Sequence, residues 1–120
     1  MMLNGIRRRT WAKINLNNVE YNFKQIKKHA NSKVCCVVKA NAYGHNAVEL
    51  AAIYQKLGAD FLAVSNIEEA LQLRYNMITL PILILGYTPP ECAKELAIHN
   101  ISQAVYSYEY AKALIEYANI

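Results

Sequence analysis

Four short apolar runs recur along the chain at nearly equal spacing, and this repeat constrains the fold more than any other feature. The runs occupy residues 34–39 (VCCVVK), 61–64 (FLAV), 82–85 (ILIL) and 101–105 (ISQAV). Their carboxyl ends lie about 20 to 25 residues apart, which leaves room for one helix and two short loops in each interval. Because buried strands that alternate with helices pair in parallel, the repeat predicts an α/β domain with a parallel sheet.

Helical periodicity precedes and follows the first run. Residues 17–30 place apolar side chains along one stripe with lysines opposite, which predicts a helix packed on the core. Residues 46–58 repeat apolar side chains at helical spacing, and Gly58 can end that helix in a left-handed conformation. Ahead of both, residues 11–16 alternate polar and apolar side chains, which predicts a half-buried strand outside the regular repeat.

Capping signals mark the later helices. Ser65 and Glu68 have the spacing of a capping box. Thr88 offers a cap oxygen just before Pro89, and Ser107 precedes the last helical segment. These signals predict one helix after each of the last three strands.

The length of the chain limits the possible architectures. It has 120 residues, of which 54% are apolar, so one domain can bury a substantial core. A complete barrel of eight strand–helix units needs on the order of 250 residues. Four units therefore fit either an open sheet or the first half of a (β/α)8 barrel of the TIM type.

Charge and hydropathy argue against nucleic acid and membranes as partners. The net charge is +4 and the isoelectric point is near 9.0, but no stacking aromatic residues accompany the arginines at 7–9. The apolar run at 77–85 is too short to span a bilayer, and no apolar segment follows the N-terminal arginines as in a secretion signal. The sequence therefore predicts a cytoplasmic protein.

Cysteine and histidine usage indicates no metal centre. Cys35 and Cys36 are adjacent and Cys92 stands alone, so neither a zinc site nor a disulfide framework has the required spacing. The histidines are scattered over separate segments. The sequence predicts reduced thiols and no bound metal.

The segment VVKANAYGHN at residues 37–46 carries the main candidate for chemistry. Lys39 ends the first apolar run, at the end of a parallel strand where functional groups gather. A lysine amine there can form a Schiff base with an aldehyde such as pyridoxal phosphate, while Tyr43 offers a phenol and Gly44 permits a left-handed turn. From the residues alone, a lysine whose stem extends to the surface is an equal alternative.

The same segment closely resembles the pyridoxal-phosphate attachment motif of alanine racemases. The segments TWAKINLNNVEYNF, GADFLAVSNIEEALQLR and PILILGYTPPE resemble the opening strand and helix, the second unit and the third unit of that family's barrel. This resemblance runs from about Arg9 to the end of the chain. It implies that residues 1–120 form the N-terminal part of a cofactor-binding (β/α)8 barrel domain, with the second half of the barrel and a C-terminal β-domain absent from this chain.

The resemblance also implies roles for individual residues. Lys39 matches the lysine that holds pyridoxal 5'-phosphate and then acts as one of two bases on the substrate Cα. Tyr43 matches a tyrosine that contacts the cofactor phosphate. Val37 and Leu85 match apolar positions beside the cofactor ring, and both are equally compatible with plain barrel core. In the family, the second base is a tyrosine from the partner subunit of a homodimer, and no residue of this chain matches it.

The implied function is the interconversion of L- and D-alanine, which supplies D-alanine for peptidoglycan, with the 120-residue chain inactive by itself. Alternatives are a racemase of serine or another small amino acid, a non-catalytic barrel protein that binds pyridoxal phosphate, and a half barrel that pairs with a second copy. Asn46 stands where the family usually has glycine. Asparagine tolerates a left-handed backbone and caps helices, so this departure is a mild one.

Overall fold

A four-stranded parallel sheet forms the centre of the computed structural model, which describes residues 8–119. The strands lie side by side in chain order, and the register pairs Val37 with Ala63 and Ala63 with Leu83. The predicted strands and their parallel pairing are confirmed. The strands are β1 (Cys35–Val37), β2 (Phe61–Val64), β3 (Ile82–Ile84) and β4 (Ile101–Gln103).

Helical segments flank and connect these strands. The segment α2 is a single left-handed turn directly after β1, and η1 is one turn of 3₁₀-helix ahead of α5. Among the described residues, every helix is too short or too polar to cross a bilayer. The segments are α1 (Leu16–Ala30), α2 (Lys39–Tyr43), α3 (Ala47–Lys56), α4 (Ile67–Tyr75), η1 (Pro90–Cys92), α5 (Ala93–Ile98) and α6 (Tyr108–Ala118).

One face of the sheet packs against helices and forms the core. Alternate strand residues meet apolar side chains of α3, α4 and α5 in a single buried cluster. Each large aliphatic side chain buried there contributes about 1.5–3 kcal/mol of transfer free energy. The strand members of the cluster are Leu62, Val64, Ile82, Ile84 and Ile101, Val38 joins them directly after β1, and the helix members include Leu50, Ala51, Ala70, Leu73 and Leu96.

The opposite face of the sheet lacks such a cover. Cys35, Phe61 and Leu83 are half-buried there, while Val37 is 40% exposed and Leu85 is 46% exposed. A doubly wound open sheet carries helices on both faces, whereas a barrel turns one face of its sheet inward. The arrangement of residues 8–119 is therefore that of a barrel segment rather than of a doubly wound sheet.

The strand predicted for residues 11–16 is wrong. Residues 11–15 form no regular element, Trp11 is exposed, and α1 already begins at Leu16. A strand needs a neighbour for its backbone hydrogen bonds, and no strand of the described part of the chain lies beside this segment. Asn15 instead caps α1, since its Oδ1 accepts a hydrogen bond from the Asn18 N–H at 3.2 Å.

Two of the predicted caps differ from the observed ones. Asn66 rather than Ser65 caps α4, with its Oδ1 accepting from the Glu69 N–H at 2.9 Å. The buried Thr88 caps nothing, because its hydroxyl donates to Gln103 Oε1 at 2.5 Å. Ser65 and Asn66 are adjacent short polar residues, and the backbone conformation selects Asn66 as the cap. The predicted cap at Ser107 is confirmed by its Oγ, which accepts from the Tyr110 N–H at 3.1 Å.

Arg74 joins the amino-terminal ends of the third and fourth strand units. Its Nε and Nη2 donate to the carbonyls of His99 and Asn100, and its Nη1 donates to those of Ile78 and Leu80, each at 2.8 Å. The guanidinium thus spans the end of α4, the lead-in to β3 and the turn before β4. Only a planar, forked cation can direct donors at this many carbonyls at once.

Asp60 fixes the entry of β1 in a similar way. Its Oδ2 accepts from Lys27 Nζ at 2.7 Å and from the Val34 N–H at 2.6 Å. These contacts, the lysine first, hold the pKa of the Asp60 carboxyl below its usual value. The contacts tie α1 to the start of β1, the strand that leads to Lys39.

Candidate active site

The four residues predicted for the site all lie at the carboxyl edge of the sheet. Val37 ends β1, Lys39 and Tyr43 are the first and last residues of α2, and Leu85 directly follows β3. Lys39 is half-buried, and Tyr43 is 61% exposed. The fold therefore gathers these residues from two separate segments at the end of the sheet where barrel proteins build their sites.

The backbone after Lys39 is strained. Ala40, Asn41, Ala42 and Tyr43 have φ values of 50°, 52°, 55° and 57°, and Gly44 follows with a φ of 90°. Residues with a Cβ pay about 1–2 kcal/mol each in this left-handed region, so a run of four is costly. Such a turn persists only where the surrounding structure holds it in place.

Hydrogen bonds from three directions hold the turn. The Ala42 N–H donates to the Val38 carbonyl at 2.9 Å, which closes the turn on the strand. Asn41 Oδ1 accepts from the Ala47 N–H at 2.9 Å and so ties the turn to the start of α3. Glu69 reaches across from α4, where its Oε1 accepts from the Ala40 N–H at 3.2 Å. The peptide that follows Lys39 is therefore fixed by a side chain from a neighbouring unit.

The sequence does not predict that the Asn41 and Glu69 side chains hold this turn. Both contacts depend on the left-handed turn, and only glycine and asparagine signal such a turn in a sequence. Asn46 did carry a readable signal. Its φ is 73°, and its Oδ1 accepts from the Glu49 N–H at 3.3 Å, so the expected positive φ and helix cap are both confirmed.

Glycine at position 40 is expected to relieve part of the strain. Because glycine adopts φ near 50° without a Cβ clash, Ala40→Gly should leave the free energy of unfolding unchanged or raise it by up to about 1 kcal/mol. The matched control is Ala52→Gly at an exposed position inside α3, which should lower the free energy of unfolding by about 1 kcal/mol. Urea denaturation of the two variants measures both effects, and equal losses would contradict a strained turn.

A groove of about 380 Å³ lies beside β1, between the strand and α1. Its lining includes Val37, Tyr43 and His45, together with the aromatic side chains of Phe23 and Tyr54. Lys39 and Leu85 are not among its lining residues. The structure thus brings Val37 and Tyr43 into one concave surface and leaves Leu85 on the uncovered face of the sheet.

The cysteines in this groove are poor nucleophiles. Burial raises the pKa of the Cys36 thiol to about 11 and also raises that of Cys35, so both thiols stay protonated near neutral pH. Within residues 8–119, no group of three histidine, cysteine or acidic side chains is placed to hold a metal ion. Lys39 lies two residues after the end of β1 and offers a primary amine as a nucleophile at this edge of the sheet.

The loop after β3 is hydrogen-bonded to β4 and α6 at the same edge. The Tyr110 hydroxyl donates to the Thr88 carbonyl at 2.7 Å, and Gln103 Nε2 donates to the Gly86 carbonyl at 2.7 Å. A Cβ on Gly86 would lie 2.4 Å from the carbonyl oxygen of Ser65, which directly follows β2, so the close approach of the loops after β2 and β3 requires glycine. These contacts fix the backbone next to Leu85.

The fold and the site together define a class of protein. The chain forms the first four units of a barrel-type α/β domain and carries a lysine at the carboxyl edge of its first strand. The family model for the N-terminal domain of alanine racemase matches residues 14–119. The chain belongs to the alanine racemase family, as the resemblance of its segments predicted.

Individual relatives agree with this assignment. Alanine racemase 1 of Clostridium acetobutylicum is 46% identical over 112 residues, which are 92% of this chain and 29% of the relative. The solved alanine racemase of Clostridium difficile 630 is 46% identical with a TM-score of 0.87, over 95% of this chain and 31% of that one. The alanine racemase of Bacillus anthracis, solved with bound L-Ala-P, is 36% identical with a TM-score of 0.85, over 93% of this chain and 30% of that one.

One similar structure has a different name. The histidine racemase of Leuconostoc mesenteroides subsp. sake is 35% identical with a TM-score of 0.79, over 86% of this chain and 28% of that one. In each comparison, the chain spans less than a third of the relative's length. Similarity over this part of the fold therefore extends to racemases with different substrates.

Proposed function

We propose that this chain supplies the lysine-bearing half of the barrel in a racemase that uses pyridoxal 5'-phosphate to interconvert L- and D-alanine. The observation that carries the proposal is the position of Lys39, at the carboxyl end of β1 and immediately before a strained turn held by three neighbouring segments. Backbone strain of this kind clusters at active sites and ligand-binding sites, which supports a functional role for this turn.

The residues at this edge fit the cofactor chemically. Lys39 provides a primary amine for the aldehyde carbon, and the exposed phenol of Tyr43 provides a hydrogen-bond donor for the phosphate. Val37, beside them on the strand, is an exposed apolar side chain suited to contact a flat ring. Leu85 is a second such side chain on the uncovered face of the sheet.

Each of these residues has a defined task in the proposed reaction. Lys39 Nζ would hold the cofactor, and its amine would take or return a proton on one face of the substrate Cα. Tyr43 holds the phosphate, and Val37 and Leu85 exclude water from the ring. Bound pyridoxal phosphate supplies the electron sink that makes the Cα proton removable.

Racemisation needs a second base on the opposite face of Cα. The uncovered sheet face supports the proposal that further barrel strands, a C-terminal domain and the partner subunit of a homodimer complete the site. By itself the 120-residue chain should not racemise alanine. We further propose a cytoplasmic location and a role in supplying D-alanine for peptidoglycan.

A racemase of another amino acid is the second candidate. The named histidine racemase shares this part of the fold at 35% identity, so the first four units are compatible with more than one substrate. A substrate pocket built mainly by the later barrel strands and the C-terminal domain would account for that tolerance. Serine and other small amino acids remain alternatives to alanine on the same grounds.

Trapping the cofactor tests the proposal. The purified chain is mixed with pyridoxal phosphate, reduced with borohydride and digested, and mass spectrometry quantifies the adduct on each lysine. We expect the adduct to concentrate on Lys39, at least about tenfold above the exposed Lys94. This result would indicate that the first half of the site is already formed in these residues.

Uniform labelling would indicate that the site forms only in a complete barrel. The same trapping is then carried out on residues 1–120 joined to the remaining part of the Clostridium difficile alanine racemase, which is 46% identical over the shared region. Unselective labelling in that protein as well would refute the proposed role of Lys39.

A further inference from the structure

Glu69 makes a contact to another strand–helix unit that its position at the start of α4 does not require. Its Oε2 accepts from the Ser65 N–H at 3.1 Å, one residue before the Asn66 cap, so this bond stays within the start of α4. Its Oε1 accepts from the Ser65 hydroxyl at 2.6 Å and from the Ala40 N–H at 3.2 Å. The last of these bonds joins residues 29 positions apart in the sequence.

The Ala40 N–H belongs to the peptide that links Lys39 to the left-handed turn. Its orientation sets the direction in which the chain leaves β1, and Ala40 is the first residue of the run with positive φ. The Asn41 side chain is bonded to the Ala47 N–H at the start of α3, and the Ala42 N–H is bonded to the Val38 carbonyl just after β1. Among the described residues, Glu69 is the side chain that holds this first peptide.

We propose that Glu69 is a positioning residue for Lys39. Its carboxylate receives the Ala40 N–H, fixes the peptide plane next to the Lys39 Cα, and so holds the lysine in the orientation in which it meets the cofactor. The Ser65 hydroxyl, bonded to the same oxygen, keeps the carboxylate turned toward the strand end. This inference rests on the proposed function, because it assigns Glu69 to the same site.

Three variants separate positioning from helix stability. Glu69→Ala removes the bond to Ala40 together with the bonds to Ser65. Asn66→Ala removes the N-cap of α4 but leaves the Glu69 contact to Ala40 in place. Glu68→Ala removes an exposed carboxylate one position away. A merely structural role would make the first two variants behave alike.

Two measurements test the role of Glu69, and one of them needs no cofactor. Hydrogen exchange of the Ala40 amide, measured by NMR, should accelerate at least about tenfold in Glu69→Ala, as expected for the loss of a hydrogen bond to a charged acceptor. The selectivity of borohydride trapping at Lys39 should fall by a similar factor. Neither quantity should change by more than about twofold in Glu68→Ala or Asn66→Ala.

The two proposals fail in different ways. Equal Ala40 exchange in Glu69→Ala and Asn66→Ala would overturn the role of Glu69, whatever the trapping shows. Unchanged trapping at Lys39 in Glu69→Ala, with faster exchange, would also overturn it, since the turn would then be loosened without effect on the lysine. Unselective trapping in both the 120-residue chain and the joined protein counts against the proposed function, and the exchange measurement then decides alone whether Glu69 holds the turn.

Discussion

Replacing Lys39 with alanine is expected to lower the turnover number for alanine racemisation by at least about 10²- to 10⁴-fold, the usual contribution of a positioned acid–base group. The assay uses residues 1–120 joined to the remaining part of the Clostridium difficile relative, because the 120-residue chain should be inactive by itself. Loss of the amine removes both the attachment point for the cofactor and one of the two bases. The combined loss therefore makes this the largest effect predicted for any single residue of the chain.

Arginine at position 39 refines the test. Lys39→Arg keeps a positive charge but provides no primary amine for the aldehyde, so it should be nearly as inactive as Lys39→Ala. The control is Lys94→Ala on the exposed surface of α5, which should retain full turnover. A Lys39→Ala protein with more than about a tenth of the wild-type rate would show that another group carries the chemistry.

Replacing Arg74 with alanine is expected to lower the free energy of unfolding by about 3 kcal/mol or more, since each hydrogen bond from a charged donor is worth about 1.5–3 kcal/mol. The variant removes four such bonds at 2.8 Å and leaves the carbonyls of Ile78, Leu80, His99 and Asn100 without this partner. The sum is smaller than four independent bonds, because water reaches the more exposed of these carbonyls. Stability of a single domain is typically 5–15 kcal/mol, so the loss is a large share of the total.

The Arg74→Lys variant separates the effect of the positive charge from the effect of the forked hydrogen-bond geometry. An ammonium group keeps the charge but concentrates its donors at one point, so Arg74→Lys should still lose about 2 kcal/mol. Arg9→Lys at an exposed position is the matched control and should stay within about 0.5 kcal/mol of the wild-type chain. Urea unfolding followed by circular dichroism measures all three variants. If Arg74→Lys unfolds at the same midpoint as the wild-type chain, the forked contacts carry no net stability.

The helices and strands could be predicted from the sequence because each depends on a local pattern of apolar and polar residues. The run 61–64 is bounded by turn residues and contains only apolar side chains, so its limits matched β2 at both ends. The other strands end one or two residues before their predicted carboxyl ends, where the chain turns into the loops that carry the site. The predicted strand at 11–16 failed, because alternation alone supplies no hydrogen-bonding partner.

The candidate site could be predicted only in part from the sequence. Lys39 and Tyr43 lie in a compact segment with a specific resemblance, so the sequence could single them out. The contact between Glu69 and Ala40 joins two units through a left-handed turn, and no spacing in the sequence encodes that meeting. The four carbonyls around Arg74 come from two separate loops, and the bond between Tyr110 and Thr88 joins α6 to the loop after β3. Such contacts appear only when the loops are brought together.

The sequence by itself therefore determined the α/β class, the parallel strand units, the helix caps at Asn46 and Ser107, and the lysine at the end of β1. These features follow from periodicity and short-range hydrogen bonding, which act within a few residues of one another. The tertiary structure decided that one sheet face is left uncovered, that four residues after Lys39 take a left-handed conformation, and that Glu69 holds the first of them. The reason is physical: a strained turn is stable only when distant segments supply the hydrogen bonds that offset its cost, and those segments meet only in the folded chain.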